Sequence, residues 1–101
     1  MRVIDKNICK SYQGLPCIVC GRAETTVGHH IRSKGSGGSD IDENLIPLCH
    51  EHHREIHDSP KYSGITRFSM RYSNVKWYIL SKNWYFDHLQ NKFWNDTVYK
   101  Q

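Results

Sequence analysis

The chain has 101 residues, one domain's length, and only 38% of them are apolar, too few for a core that stands without a metal, disulfides or a partner. Its 14 Lys and Arg against 10 Asp and Glu leave a formal net charge of +4, a mildly basic balance that suits a nucleic-acid partner without requiring one. No stretch has the apolar length of a membrane span, and residues 1–7 lack the apolar run of a secretion signal. A reducing cytoplasm is therefore expected, where closely spaced cysteines serve as metal ligands rather than disulfides.

Along the chain, residues 1–16 read as an irregular or weakly helical lead-in ending at Leu15-Pro16. Cys17-Ile18-Val19-Cys20-Gly21 reads as a tight knuckle with Gly21 at the turn, and residues 25–31 as a short β-strand. Residues 33–40, dense in Gly and Ser, must be a loop. Leu45–Cys49 reads as a second short strand, at an edge because it contains Pro47, and Glu51–His57 as a helix stopped by Asp58-Ser59-Pro60. Beyond that, residues 59–101 carry all three Trp and all but one of the six Tyr. Val75–Leu80 reads as a helix with Trp77 and Leu80 on one face, and residues 84–94 as a β-hairpin turning at Gln90-Asn91-Lys92. These aromatics are expected to cover a core too small to stand alone.

Two half-sites stand out among the seven His and four Cys. Cys17-x2-Cys20 and Cys49-x2-His52 have the paired spacing of a closed, four-ligand structural zinc site. Zinc suits thiolate and imidazole donors. Cys9 matches no knuckle and reads as a free buried thiol, and His50 has no assignment. The remaining histidines form a second set. His29 and His30 are neighbours on a strand and point to opposite faces, whereas His53 and His57 are four apart on a helix and share one. An i, i+4 histidine pair clamps a divalent ion, which one strand histidine can complete into a three-ligand site. The other then stays free of metal, as a base must.

Cys-x2-Cys, His29-His30-Ile31, a glycine-rich loop, Asn44-Leu45-Ile46-Pro47-Leu48-Cys49 and His52-His53-x3-His57, in this order, resemble the HNH endonucleases, above all phage-type members with zinc knuckles. The resemblance implies an α+β fold: a small ββα-metal core over residues 17–58, stapled by structural zinc, with residues 59–101 as an aromatic-rich helical and hairpin extension of the same single domain. It implies His30 as the general base, Asn44 as the residue that holds the loop and base, and His53 as a ligand of the catalytic ion, with His29 and His57 at additional ligand positions. Many zinc-knuckle members have Asp where this chain has His29. An all-imidazole site should accept Mn²⁺, Ni²⁺, Co²⁺ or Zn²⁺ and hold Mg²⁺ less well. The implied activity is metal-dependent hydrolysis of double-stranded DNA by a monomer or homodimer of phage origin in a bacterial cytoplasm. Arg32, Lys34 and Arg54 are the candidate phosphate contacts. The competing reading is a zinc module that binds nucleic acid without cutting it.

Overall fold

A computed structural model describes residues 2–58 and 64–100. The elements in order are helix α1 (Lys6–Lys10), strands β1 (Val27–His30) and β2 (Leu45–Leu48), helices α2 (His50–Asp58), α3 (Ile65–Arg71) and α4 (Ser73–Ser81), strands β3 (Tyr85–Asp87) and β4 (Lys92–Trp94), and helix α5 (Asp96–Tyr99). Two one-turn 3-10 segments, Lys34–Ser36 and Asp42–Asn44, interrupt the long connection from β1 to β2. No helix among the described residues is long and apolar enough to cross a membrane.

β1 and β2 pair antiparallel, with Val27 opposite Leu48, His29 opposite Ile46 and His30 opposite Leu45. The ribbon has two strands, so Pro47 breaks no ladder that a third strand would need. Its carbonyl instead accepts from the Ile18 amide at 3.0 Å, which docks the Cys17–Cys20 turn on β2. All four residues of β2 are buried, as a strand covered on both faces should be.

Ile46 and Leu48 enter one hydrophobic cluster with Ile56 of α2, Ile65 and Phe68 of α3, Val75 and Ile79 of α4, Trp84, Phe93 and Val98. The C-terminal residues thus complete the core that the short ribbon and α2 begin. Three polar ties reinforce the packing: the Trp84 indole donates to the Glu43 carbonyl at 2.6 Å, the Tyr78 hydroxyl to the Leu45 carbonyl at 3.2 Å, and the Tyr72 hydroxyl to the Glu55 carboxylate. Each ends beside the β2–α2 unit.

The expected elements appear with several differences. The helix over residues 75–80 extends to Ser73–Ser81, but its inward face is Val75 and Ile79; Trp77 is 66% exposed and Leu80 sits at the margin. An i, i+4 pair of branched residues packs into the narrow core more easily than an indole, and Trp84 already fills that role. In the hairpin, Lys92 belongs to β4 opposite Asp87, and His88–Asn91 make the turn, with Asn91 in the left-handed region at φ 56. Helices α3 and α5 had no counterpart in the sequence reading. The buried face of α3 includes Ser69, which bonds to the Thr66 carbonyl and hides the apolar rhythm. Helix α5 has only four residues, although Asn95 caps it by accepting from the Val98 amide. The expected helix stop at Ser59-Pro60 lies outside the described residues.

Trp84→Phe keeps an aromatic ring in the core but removes the partner of the partly buried Glu43 carbonyl. The expected loss is about 1–3 kcal/mol of unfolding free energy, read from urea denaturation followed by circular dichroism.

Candidate functional site

The knuckle is built by backbone geometry. Gly21 adopts φ +79, a conformation that disfavours any side chain, and its amide donates to the Cys17 carbonyl at 2.8 Å. The Cys17 amide in turn donates to the Arg22 carbonyl at 2.7 Å. Across the ribbon, Cys49 stands just before α2, where its carbonyl accepts from the His53 amide at 2.8 Å, and His52 turns back from the first helical turn.

Cys17, Cys20, Cys49 and His52 come together as a cluster that could hold a metal. Cys20 Sγ lies 3.7 Å from Cys49 Sγ, too far for a disulfide, and His52 Nδ1 lies 3.7 Å from Cys17 Sγ and 3.3 Å from Cys49 Sγ. A tetrahedral ion with bonds of about 2.3 Å to sulfur and about 2.0 Å to nitrogen needs edges of about 3.8 Å between sulfurs and about 3.5 Å between sulfur and nitrogen. The donor set fits a structural ion such as zinc. Burial would raise the Cys17 thiol, but hydrogen bonds from the Cys49, Cys20 and Val19 amides hold it below its ordinary value. Cys49 is pushed up, by burial first and then by the other two sulfurs; a shared cation would relieve that repulsion.

The second cluster forms on the other side of α2. Residues 52 and 53 are one helical step apart, so His53 faces away from the cysteines and meets His57 one turn on and His29 of β1. His53 Nε2 and His57 Nε2 are 3.1 Å apart, and the His29 ring centroid lies 5.1 Å from that of His53 and 4.9 Å from that of His57. A bond of about 2.1 Å places neighbouring nitrogens about 3.0 Å apart on an octahedral ion and about 3.4 Å apart on a tetrahedral one. The observed spacing lies between the two. Burial, then the charges of His53 and His57, push the His29 imidazole down to about 3, and burial with His57 lowers His53. Both rings are thus held neutral, with lone pairs available for a cation.

His30 leaves β1 in another direction, yet it lines the same cavity of about 700 Å³ as His29, His53 and His57. Its Nε2 lies 2.7 Å from Asp40 Oδ1, and its Nδ1 has no protein partner among the described residues. Burial alone would raise the Asp40 carboxyl, but hydrogen bonds from His30 and the Asp5 amide, with the Arg2 charge, hold it below the ordinary carboxylate value. Asn44 is fully buried, and its side-chain hydrogen bonds go to the backbone rather than to these rings. Its Oδ1 accepts from the Arg32 amide at 2.7 Å, and its Nδ2 donates to the Arg32 and Ser39 carbonyls, both at 3.0 Å. It therefore closes the Arg32–Asp40 loop against the end of β1. Gly38 makes this closure possible, since a Cβ there would come 1.7 Å from the Arg32 carbonyl oxygen.

The three expected phosphate contacts separate. Lys34 lines the cavity. Arg32 folds inward instead, donating to the Val98 carbonyl at 3.1 Å and stacking over Tyr99, where it ties the loop to α5. Arg54 lies on the far face of α2 among Glu51, Glu55 and Asp58, 3.7 Å from the Asp58 carboxylate. The basic residues that do share the cavity with Lys34 are Arg2, Lys6 and Lys10, from the lead-in. Sequence reading missed them and Asp40; the only available signal was the i, i+4 spacing of Lys6 and Lys10. Cys9 also lines the cavity as a free thiol, but it is half-buried rather than buried.

Residues 17–59 match the family model described as HNH endonuclease, a segment that holds both clusters, His30 and Asn44 and spans less than half of the chain. Neither the curated proteins nor the solved structures return a match to the chain.

Zinc in such a site contributes roughly 10 kcal/mol or more to folding in small peptides, comparable to the whole stability of a small domain, about 5–15 kcal/mol. Cys49→Ser is expected to lose the tightly held zinc and the cooperative thermal transition together. His57→Ala, on the other face of α2, should keep both. Metal content by plasma mass spectrometry and melting by circular dichroism check the contrast.

Proposed function

We propose that this protein is a metal-dependent endonuclease that hydrolyses DNA phosphodiester bonds, with His30 as general base and one divalent ion held by His29, His53 and His57. The observation that carries the proposal is the shared cavity. Three imidazoles with ligand spacing and a fourth whose Nδ1 has no partner among the described residues line one space, with room for a phosphate and a water. The HNH match over residues 17–59 supports the same reading, since HNH domains typically act on DNA. The succession of β1, β2 and α2 is consistent with a ββα-metal core, with residues 64–100 packed on it as an extension of one domain.

The chemistry divides among named groups. When bound, a divalent ion supplies charge neutralisation at the scissile phosphate and the leaving 3′-oxygen. His30 takes the proton of the attacking water at Nδ1, because Nε2 is engaged by Asp40. Asn44 holds the loop that follows β1 and so keeps His30 and Asp40 in register. Lys6, Lys10 and Lys34 on the wall bind phosphates along the strand, contacts that position the nucleic acid without reading its bases. Structural zinc at Cys17, Cys20, Cys49 and His52 fixes the start of α2, and with it the placement of His53 and His57.

Incubation with supercoiled plasmid and Mn²⁺, Ni²⁺ or Mg²⁺ tests the proposal. Wild-type protein is expected to give nicked or linear product. His30→Ala should slow cleavage by about 10²-fold or more while keeping its zinc and fold, and His53→Ala should raise the concentration of added ion needed for activity. A folded, zinc-loaded protein that leaves the plasmid intact with every ion would instead favour a module that binds nucleic acid without cutting it.

A further inference from the structure

The strongest unassigned feature is the set of polar contacts that converges on Asp40. Its side chain is 5% exposed and that of His30 is 11% exposed, so the pair is shielded from bulk water. Asp40 Oδ1 receives Arg2 Nη2 at 2.9 Å and faces His30 Nε2 at 2.7 Å, while Oδ2 accepts from the Asp5 amide at 2.9 Å. The lead-in is bonded to the same stretch by its backbone. The Asp40 amide donates to the Val3 carbonyl at 2.8 Å, the Val3 amide to Ser39 Oγ at 2.8 Å, and Arg2 Nε to the Gly38 carbonyl at 2.6 Å. Residues 2–5 therefore form a strap that fixes the carboxylate His30 faces.

A carboxylate offers only lone pairs, so the nitrogen it faces must carry the proton. We propose that Asp40, held by the Arg2–Asp5 strap, is a positioning residue that fixes His30 as the Nε2–H tautomer and turns its bare Nδ1 into the cavity. This rests on the reading of His30 as general base and deepens it: the base is an aspartate–histidine pair, His30 from the end of β1 and Asp40 from the loop that follows, braced by the N-terminal segment. Cys9 lies close enough for its sulfur, His30 and Asp40 to resemble a third metal cluster. The guanidinium on Asp40 Oδ1 opposes that alternative, because a cation placed there would face the Arg2 charge and displace the 2.7 Å contact.

The effect should resemble that of other aspartate-oriented imidazoles, in which exchange of the carboxylate for an amide leaves the ring in the wrong tautomer. The test uses the full zinc-loaded chain labelled with ¹⁵N-histidine, at about pH 8, above the ordinary imidazole range. Long-range ¹H–¹⁵N spectra are assigned for His30 by comparison with His30→Ala. Wild-type His30 is expected as the Nε2–H form, and Asp40→Asn is expected to shift it towards Nδ1–H. In plasmid cleavage, Asp40→Asn should lower kcat by about 10²-fold or more with KM little changed, and Asp40→Glu should recover part of the loss. An Nδ1–H tautomer in the wild-type protein would overturn the proposal even if Asp40→Asn failed to fold. So would a folded Asp40→Asn protein with unchanged tautomer and kcat. If wild-type protein cuts no DNA under any ion, the endonuclease reading fails, and the spectra alone still decide what Asp40 does.

Discussion

The three-imidazole wall of the cavity depends on the direction in which α2 leaves β2. Two neighbouring residues of that helix serve two different clusters: His52 turns to Cys17, Cys20 and Cys49, and His53 turns to His29 and His57. A helix advances about 100° per residue, so a cation that seats His52 also sets where His53 points. The ribbon beneath is only four residues long on each strand, and α2 buries little of its own surface apart from Ile56. Hydrophobic packing at that end is too thin to hold a helix axis to within the fraction of an ångström that a ligand set needs. A cation shared by the three sulfurs and the nitrogen would provide the missing constraint.

On the other side of β1, a polar lattice replaces the metal. Asn44 is fully buried and uses its side-chain amide to join Arg32 and Ser39, which lie at opposite ends of a Gly/Ser-rich loop. Gly38 passes so close to the Arg32 carbonyl that no side chain fits there. The loop delivers Asp40 to His30, and residues 2–5 close over it. Burying so many polar groups is costly unless each finds a partner. Nearly all do, and among the described residues the exception is Arg32 Nε, on a side chain that nonetheless bonds to Val98 and stacks on Tyr99.

The C-terminal elements add core and little visible chemistry. Phe68, Val75, Ile79, Trp84, Phe93 and Val98 pack against Ile46 and Leu48, while Trp84 and Tyr78 bond to carbonyls at either side of Asn44. The aromatic residues thus brace the segment in which Asn44 sits. This explains why a chain only 38% apolar can bury β2 completely.

Much of the clustering of possible metal donors was legible because it is local. Cys-x2-Cys, Cys-x2-His and His-x3-His are spacings on one turn or one helix face, and their geometry follows from the backbone alone. The strands around His29 and Pro47 and the helix after Cys49 were legible for the same reason, as was the glycine-rich loop. Contacts between distant segments were not. Arg32 and Arg54 sit near the histidines in sequence, yet one folds onto α5 and the other faces away, because charge on a chain carries no direction until helices and loops are packed. Arg2 and Asp40 reach the cavity through long-range pairing of residues 2–5 with 38–40, and Lys6 and Lys10 through the packing of α1 on β1, neither of which a spacing rule encodes. The sequence by itself determined which donors exist and which of them pair locally. Tertiary structure decided which side chains share a space, since that depends on where separate elements are buried against each other.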